Sequence, residues 1–507
     1  MALTPMSQDI SERYNELIQQ ADLAQHSAVR GCMVIKPYGY AMWENMQHVI
    51  DTMFKRTGIA GKKHQNAYFP LLIPKSFFTK EAKHIEWFAT EAAVVTHYRL
   101  KKDESTGTIE VDPDAKLEEE LIIRPTSETI IRNTFKDWVQ SYRDLPLLVN
   151  QWANVMRWEM RTRPFLRTAE FLWQEWHTAH ATESEAIMET EQMWNVYQDF
   201  FINFMAVSGV MWRKTESEKF AGAETTYTIE HMMPDGKALQ SCTSHYLGQN
   251  FGKAFDVQFV NQNNEREFAY ATSWGISTRA LGGMFMSHGD DKGLIVPPAL
   301  APFQVVVIPV AKNEEILTSL MSYMQPSLDA IESSSLSIKS TFLGNYQVSL
   351  QIKIDNDMNK TNWRKYNQYE LQWVPLRIAV WPRDMENWVV EVYRRDTWSK
   401  ESVEITQLAE YVITTLQDIQ ANLLTRNIAL RTSKTIIANT RDEFAASIED
   451  GKFVMAHWDG TSETEDKIKE LTKATTRCIP ADSPLEAGNC ILTDQPSERR
   501  ILFAKNY

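Results

Sequence analysis

Cysteine is scarce in this chain: four in 507 residues, Cys32, Cys242, Cys478 and Cys490, none at a framework spacing. That scarcity argues against structural disulfides, fits a reducing compartment, and leaves the thiols as packed core groups. No long uncharged apolar run occurs, so neither a membrane-spanning helix nor a membrane partner is expected. The opening MALTPMSQDISERY has no basic-then-apolar signal pattern, and a cytoplasmic location is the expectation. Positive charge is not in excess either. A net charge of −13 argues against nonspecific duplex binding, so DNA is not an expected partner and any RNA contact must rest on local patches. Internal repeats and low-complexity tracts are missing too.

With 43% hydrophobic and 23% charged residues the composition is that of soluble globular protein, and the length implies two to four domains. Periodicity predicts helices over 9–29, 42–54, 128–141, 183–207 and 313–333, and a long one over 403–424 continuing toward 436. Strands are expected at 67–73, 92–100, 121–124, 147–152, 304–309, 338–342, 376–381, 388–393, 453–458, 475–479 and 500–505. Hairpin-like strands at 227–229 and 255–260 with the turn Pro234-Asp235-Gly236 between them favour an antiparallel α+β sheet over a doubly wound one. The stiff run Pro297-Pro298-Ala299-Leu300-Ala301-Pro302 marks the first domain boundary. The expected division is 1–296, 303–405 and 406–507.

The segment QWANVMRWEMRTRPFLRTAEFLWQEWHTAH, residues 151–180, interleaves Arg157, Arg161, Arg163 and Arg167 with aromatics. Guanidinium forks match phosphate oxygens two at a time and an aromatic face such as Phe171 suits a base, so the mixture suits a nucleotide. An Arg-laced hairpin on an ordinary sheet is the bland alternative. Alternation in FLWQEWHTAH reads as a strand that sends Trp173, Glu175 and His177 to one face. The run HTAHATE also permits a zinc half-site, although a strand would send His177 and His180 to opposite faces. Arg124-Pro125-Thr126-Ser127-Glu128 follows a strand, where Thr126 suits a helix cap. His288, Asp290 and Asp291 in SHGDDKG read as a solvated turn or a metal cluster. The run ALQSCTSH at 238–245, lying beside a strand, suits a ribose, phosphate or small-substrate wall. Gly282-Gly283 after Arg279 permits close helix packing.

In order and wording these segments resemble the class II aminoacyl-tRNA synthetases, and among them the prolyl-tRNA synthetase family of archaeal and eukaryotic architecture. Residues 67–74 resemble motif 1, MRWE with RTAEF motif 2, and 274–298 motif 3; RPTSET, WQEWHTAH and SHGDDKGLIVPP carry the prolyl signature. No HIGH-type or KMSKS-type signature of the other synthetase class is seen. The resemblance implies an α+β fold with an antiparallel-sheet catalytic domain, an α/β anticodon-binding domain and a small α+β C-terminal domain. It implies ATP-dependent attachment of L-proline to tRNA(Pro) through prolyl-adenylate, with Mg2+ on the phosphates and a homodimer. Arg157, Glu159, Arg167 and Arg279 would be the catalytic set. Thr126, Glu128, Arg157, Trp173, Glu175, His177, Phe220 and His245 would bind proline. Glu159, Thr168, Phe171, Gln240, Thr243 and Ser277 would join Arg157, Arg167 and Arg279 around ATP.

The interval 181–273 is too short for the editing insertion of bacterial-type relatives, so no hydrolysis of alanyl-tRNA is expected. The run NWRKYNQYELQWVPLRIAVWPRD resembles the anticodon module, with Trp363, Arg364, Lys365 and Arg383 as base contacts. Many relatives hold zinc in the last unit through four cysteines. Here Asp459, Thr464 and Thr493 stand at three of those positions beside Cys490, and no structural zinc is expected. A synthetase-like regulatory protein that charges no tRNA is the alternative function, and a zinc hydrolase using HTAHATE a more distant one.

Overall fold

The structure, a computed structural model, describes residues 3–78, 91–372 and 374–507. One eleven-stranded sheet runs through it. Its strands in chain order are β1 (Gln65–Asn66), β2 (Leu147–Met156), β3 (Glu170–His180), β4 (Gly209–Arg213), β5 (Thr225–Met232), β6 (Ala238–Gly248), β7 (Tyr270–Ser277), β8 (Thr435–Ile437), β9 (Phe453–His457), β10 (Thr475–Pro480) and β11 (Arg500–Ala504). The spatial order is β8-β9-β11-β10-β4-β5-β6-β7-β3-β2-β1. Only β1 with β2 and β8 with β9 are parallel. The antiparallel α+β expectation therefore describes the sheet, and β10 against β4 carries it from the first 300 residues into the last hundred.

Alternation along β3 separates two environments. Trp176, Thr178 and His180 turn into the core, where Trp176 stacks on Trp274 of β7 at 5.3 Å and the helix Glu183–Asn203 covers them. That helix starts where the Thr182 hydroxyl accepts the Glu185 N–H, and it buries Met193, Tyr197 and Phe200. Trp173, Glu175 and His177 are left facing the opposite side.

A second, five-stranded sheet takes the order Ile352–Ile354, Val305–Pro309, Leu376–Val380, Val389–Arg394, Lys400–Glu404. Its first three strands are parallel and the two inner ones are buried along their full length, as a sheet covered by helices requires. Helices Glu314–Glu332 and Asn362–Gln372 pack beside it. Trp373, inside the telling run of this unit, lies outside the described residues.

Several expectations are corrected. The 9–29 helix ends at Gln20 because Asp22 takes φ +60°, and Ala24–His26 then pairs with Met33–Ile35. Within 67–73 only Leu72–Pro74, extending past 73, is paired, against Lys116–Ile123. The segment 255–260 does not partner 227–229: β5 pairs with β6 across the Pro234–Gly236 turn, and Gln258–Val260 pairs with Arg266–Phe268. The Ser/Thr-rich run 238–245 is thus itself a central strand, its hydroxyls spent on the His231 ring of β5 (Ser241), the His245 ring of the same strand (Thr243) and the Thr190 carbonyl of the covering helix (Ser244).

Candidate active site

Register assembles the site floor. Antiparallel pairing sets Trp173, Glu175 and His177 of β3 opposite Ser277, Gly275 and Ser273 of β7, and Gly275 and Ser273 opposite Thr243 and His245 of β6. Residues opposite one another share a face, so three strands contribute one polar surface. A Cβ on Gly275 would sit 3.1 Å from the Gln174 carbonyl oxygen and 3.7 Å from the Trp173 ring, so glycine keeps this floor open.

Two adjoining cavities lie over it. The first, of about 480 Å³, is lined by Glu91, Arg157, Glu159, Arg167, Thr168, Phe171, Ser277 and Arg279. The second, of about 220 Å³, is lined by Thr126, Glu128, Trp173, Glu175, His177, Phe220, Gln240, Thr243 and His245, and shares Arg157, Phe171, Ser277 and Arg279 with the first. Every residue singled out from the sequence for catalysis, proline or ATP lies on one cavity or both.

Arg157 follows β2 directly. Its Nε donates to the Pro125 carbonyl at 3.0 Å, and its guanidinium carbon lies 5.4 Å from the Phe171 ring and 5.5 Å from that of Trp173. Burial lowers its pKa, opposed by Glu128, Glu91 and Glu175. Arg279 is tied by Nε to the Leu166 carbonyl at 2.9 Å; burial first, then the like charges of Arg157 and Arg167, bring it down to about 10. Arg167 donates to Glu159 at 2.5 Å. Three cations thus converge on one cavity, where Arg279 bears the repulsion of the other two, and a polyanion is their complement.

The smaller cavity holds its polar groups rigidly. Glu175 accepts from the Gln151 amide at 2.7 Å, the Ser127 N–H at 3.1 Å and the Ser127 hydroxyl. Glu128 accepts from the Thr126 hydroxyl. The expected helix cap by Thr126 is not made: Ser127 is the cap residue of Glu128–Trp138, and neither hydroxyl bonds the helix backbone because both serve carboxylates. His245 sits between Thr226 (Nδ1, 2.9 Å) and Thr243 (Nε2, 2.9 Å); burial pushes its pKa down to about 4, so it is neutral at pH 7. His177 Nε2 faces Glu175 at 3.2 Å, and its buried Nδ1 makes no hydrogen bond. Thr168 spends its hydroxyl on the Glu170 carbonyl at 2.7 Å.

Other readings change. Of the four arginines, Arg163 turns away, stacking over Tyr14 at 5.4 Å and Tyr507 at 5.3 Å. Tyr507 donates its hydroxyl to Asp235 at 2.6 Å, so the chain end is fastened beside the arginine-bearing segment. His180 points into the core and bonds the Thr178 hydroxyl at 2.7 Å, on the face opposite His177. In SHGDDKG the solvated-turn reading holds for Asp291 and Lys292, which are exposed in a turn, whereas Asp290 pairs with Arg395 and the His288 ring meets the Met205 carbonyl at 2.9 Å. Among the described residues no group of three His, Cys, Asp or Glu is placed to hold a metal. Lys365 is 2% exposed and donates to the Asp355 carbonyl at 2.9 Å, which removes it from any anticodon surface, whereas Trp363 is 73% exposed. Glu91, Glu218 and Ser273 line the cavities without having been singled out. Alternation along β7 from Ser277 would have found Ser273; Glu91 and Glu218 carry no local signal.

Residues 108–288 match the tRNA synthetase class II core domain (G, H, P, S and T), 304–415 an anticodon binding domain, and 441–507 the prolyl-tRNA synthetase C-terminal domain. Curated relatives span the chain. A proline–tRNA ligase of Parabacteroides distasonis is 55% identical over 505 residues, covering 100% of this chain and 99% of its own. One of Bacteroides fragilis is 55% identical over 509 residues with the same coverage, and one of Flavobacterium johnsoniae 54% over 507.

Proposed function

Because the chain belongs to the prolyl-tRNA synthetase family of class II, we propose that it joins L-proline to ATP as prolyl-adenylate, releasing pyrophosphate, and passes the prolyl group to the terminal hydroxyl of tRNA(Pro). The observation that carries this reading is the position of Arg157 and Phe171 on both cavities at once. A carboxylate in the small cavity and a triphosphate in the large one would meet at Arg157.

The step joins two anions, so charge neutralisation and alignment dominate and no protein nucleophile is needed. Arg157 would bridge the attacking carboxylate and the α-phosphate. Arg167 and Arg279 would hold the outer phosphates, with Glu159 steering Arg167. Phe171 would carry the adenine, and Thr168, Gln240, Thr243 and Ser277 would complete the nucleotide and ribose contacts. In the small cavity Glu128 and Glu175 suit the ring ammonium, and Trp173, Phe220, His177 and neutral His245 suit a flat apolar ring. Magnesium suits one or two carboxylates plus phosphate oxygens, a demand Glu91 and Glu159 meet on the large cavity; when bound, it would neutralise phosphate charge.

The C-terminal donor set does not suit zinc. Asp459 Oδ2 accepts the hydroxyls of Thr464 and Thr493, each at 2.7 Å, and its Oδ1 that of Thr461 at 2.9 Å. We take this hydrogen-bonded knot as the staple of a zinc-free unit. The proposed division is 1–296 catalytic, 303–405 anticodon-binding and 406–507 C-terminal. Exposed Trp363, Arg364 and Arg383 supply the anticodon surface. Homodimerisation is proposed through the motif 1 side, where Tyr68 at 70%, Leu72 and Trp138 leave apolar surface exposed. Among the described residues no helix is long and apolar enough to cross a membrane; a cytoplasmic location is proposed from the unpaired cysteines. The interval 181–273 is taken up by strands of the main sheet, their covering helix, the short helix Asn250–Ala254 and the hairpin of Gln258–Val260 with Arg266–Phe268, which leaves no room for a further domain and supports the absence of alanyl-tRNA hydrolysis. Proline-dependent exchange of labelled pyrophosphate into ATP, followed by charging of tRNA(Pro), tests the assignment. Exchange that ignores proline would refute it.

A further inference from the structure

The loop at 214–224 joins β4 to β5 and forms the outer wall of the smaller cavity. Glu218 and Phe220 line that cavity, and Phe220 lies 4.6 Å from the His245 ring. The other side of the loop is held by residues from about 250 positions away in the chain. One oxygen of Glu465, on the helix Ser462–Thr472, accepts the hydroxyls of Ser217, Thr215 at 3.2 Å and Thr476 at 3.0 Å. Arg477 on β10 donates to Glu230 of β5 at 2.9 Å and stands 3.8 Å from the Glu218 carboxylate. Lys214, where the loop leaves β4, closes the same buried group on Glu230 at 2.7 Å.

Taking the smaller cavity as the proline subsite proposed above, we infer that Glu465 and Arg477 are positioning residues for proline recognition: the C-terminal unit fixes the loop that presents Glu218 and Phe220 to the imino acid. Three hydroxyls on one carboxylate oxygen form a network that loses its geometry when the acceptor goes. A surface loop without such ties belongs to the easily opened parts of a fold. A five-membered ring offers few atoms to grip, so a wall displaced by a fraction of an ångström weakens its binding. The cations of the triphosphate cradle stand on the β2–β3 connection and at the start of the helix Arg279–His288, and no residue of the loop lines the larger cavity. The expected signature is therefore selective for proline.

The test is pyrophosphate exchange by the full-length protein at varied proline and at varied ATP. Glu465→Ala raises KM for proline about ten-fold while KM for ATP and kcat at saturating proline change less than about two-fold. Glu465→Gln keeps an oxygen acceptor for the three hydroxyls and restores most of the loss. Ser217→Ala removes one tie from the loop side without touching the core and gives the same split at about three-fold, which carries the test if Glu465→Ala does not fold. Proline KM unchanged in both variants, or proline and ATP KM rising together, overturns the inference. Wild-type protein that shows no proline dependence overturns the subsite assignment itself, a result read before any variant is made.

Discussion

Arg395 closes a two-pronged ion pair on Asp290, Nη1 to Oδ2 at 2.6 Å and Nη2 to Oδ1 at 2.7 Å, across 105 residues of chain. Arg395 is 1% exposed and lies 4.1 Å over the Trp398 ring, while Asp290 opens the turn after the helix Arg279–His288, which carries Arg279 of the candidate site. The pair therefore bolts the anticodon-type unit to the catalytic sheet. Arg395→Ala should cost about 2 kcal/mol in urea unfolding, below a fully buried pair because Asp290 is partly wet. Arg395→Lys should fall between, since an ammonium keeps the charge but not the fork. An unchanged unfolding curve for Arg395→Ala would remove the pair's structural role.

Arg157→Ala should lower proline-dependent pyrophosphate exchange by about a thousand-fold or more, because it deletes a cation that, with Arg279, is common to both cavities. Circular dichroism should stay native, as the change widens a cavity and leaves the sheet ladders in place. Near-normal exchange in this variant is incompatible with the assignment.

Stability should fall on mild acidification. Burial depresses His180 and His231 to about 3 and His245 and His288 to about 4, from an ordinary 6.5. Below pH 6.5 the unfolded chain takes up protons that the folded one refuses, so the contribution is complete above 6.5 and shrinks as pH falls toward 4. Each such histidine contributes a slope of up to about 1.4 kcal/mol per pH unit in that window. Thermal midpoints at pH 7.5 and 5.5 measure it; equal midpoints would mean these rings are not held neutral.

Excess chelator should leave the thermal midpoint of the purified protein in place, and elemental analysis should find no stoichiometric zinc. Burial raises the Asp459 carboxyl, yet hydrogen bonds from Thr493 and Thr464 outweigh it and hold the pKa below its ordinary value, so the knot survives at neutral pH without a metal. Asp459→Ala, which leaves those hydroxyls without their acceptor, should lower the midpoint. Retained zinc or a chelator-sensitive midpoint would contradict the proposed staple.

Much of the site was legible in one dimension because its parts are local. Alternation in FLWQEWHTAH is enough to send Trp173, Glu175 and His177 to a common face, and an arginine directly after a strand has few directions in which to point. Elements with a plain pattern, the long apolar-faced helix Glu183–Asn203 and the continuous apolar run Val305–Pro309, were also readable. The Ser/Thr-rich strand β6 was not recognised as one, since its polar residues find partners such as the His231 ring of β5 and the Thr190 carbonyl of the covering helix only once the chain has folded.

Composition, periodicity and motif order were enough for the class of fold, the chemistry of the pocket walls and the absence of a cysteine framework, because each depends on residues close together in the chain. Which arginines line the larger cavity, why Lys365 is withdrawn from the surface, and how Glu465 and Arg477 reach the wall of the smaller cavity depend on contacts between segments 10 to 250 residues apart. Such contacts are chosen by sheet register and by the need to pair every buried charge. Neither is written in any local stretch of the chain.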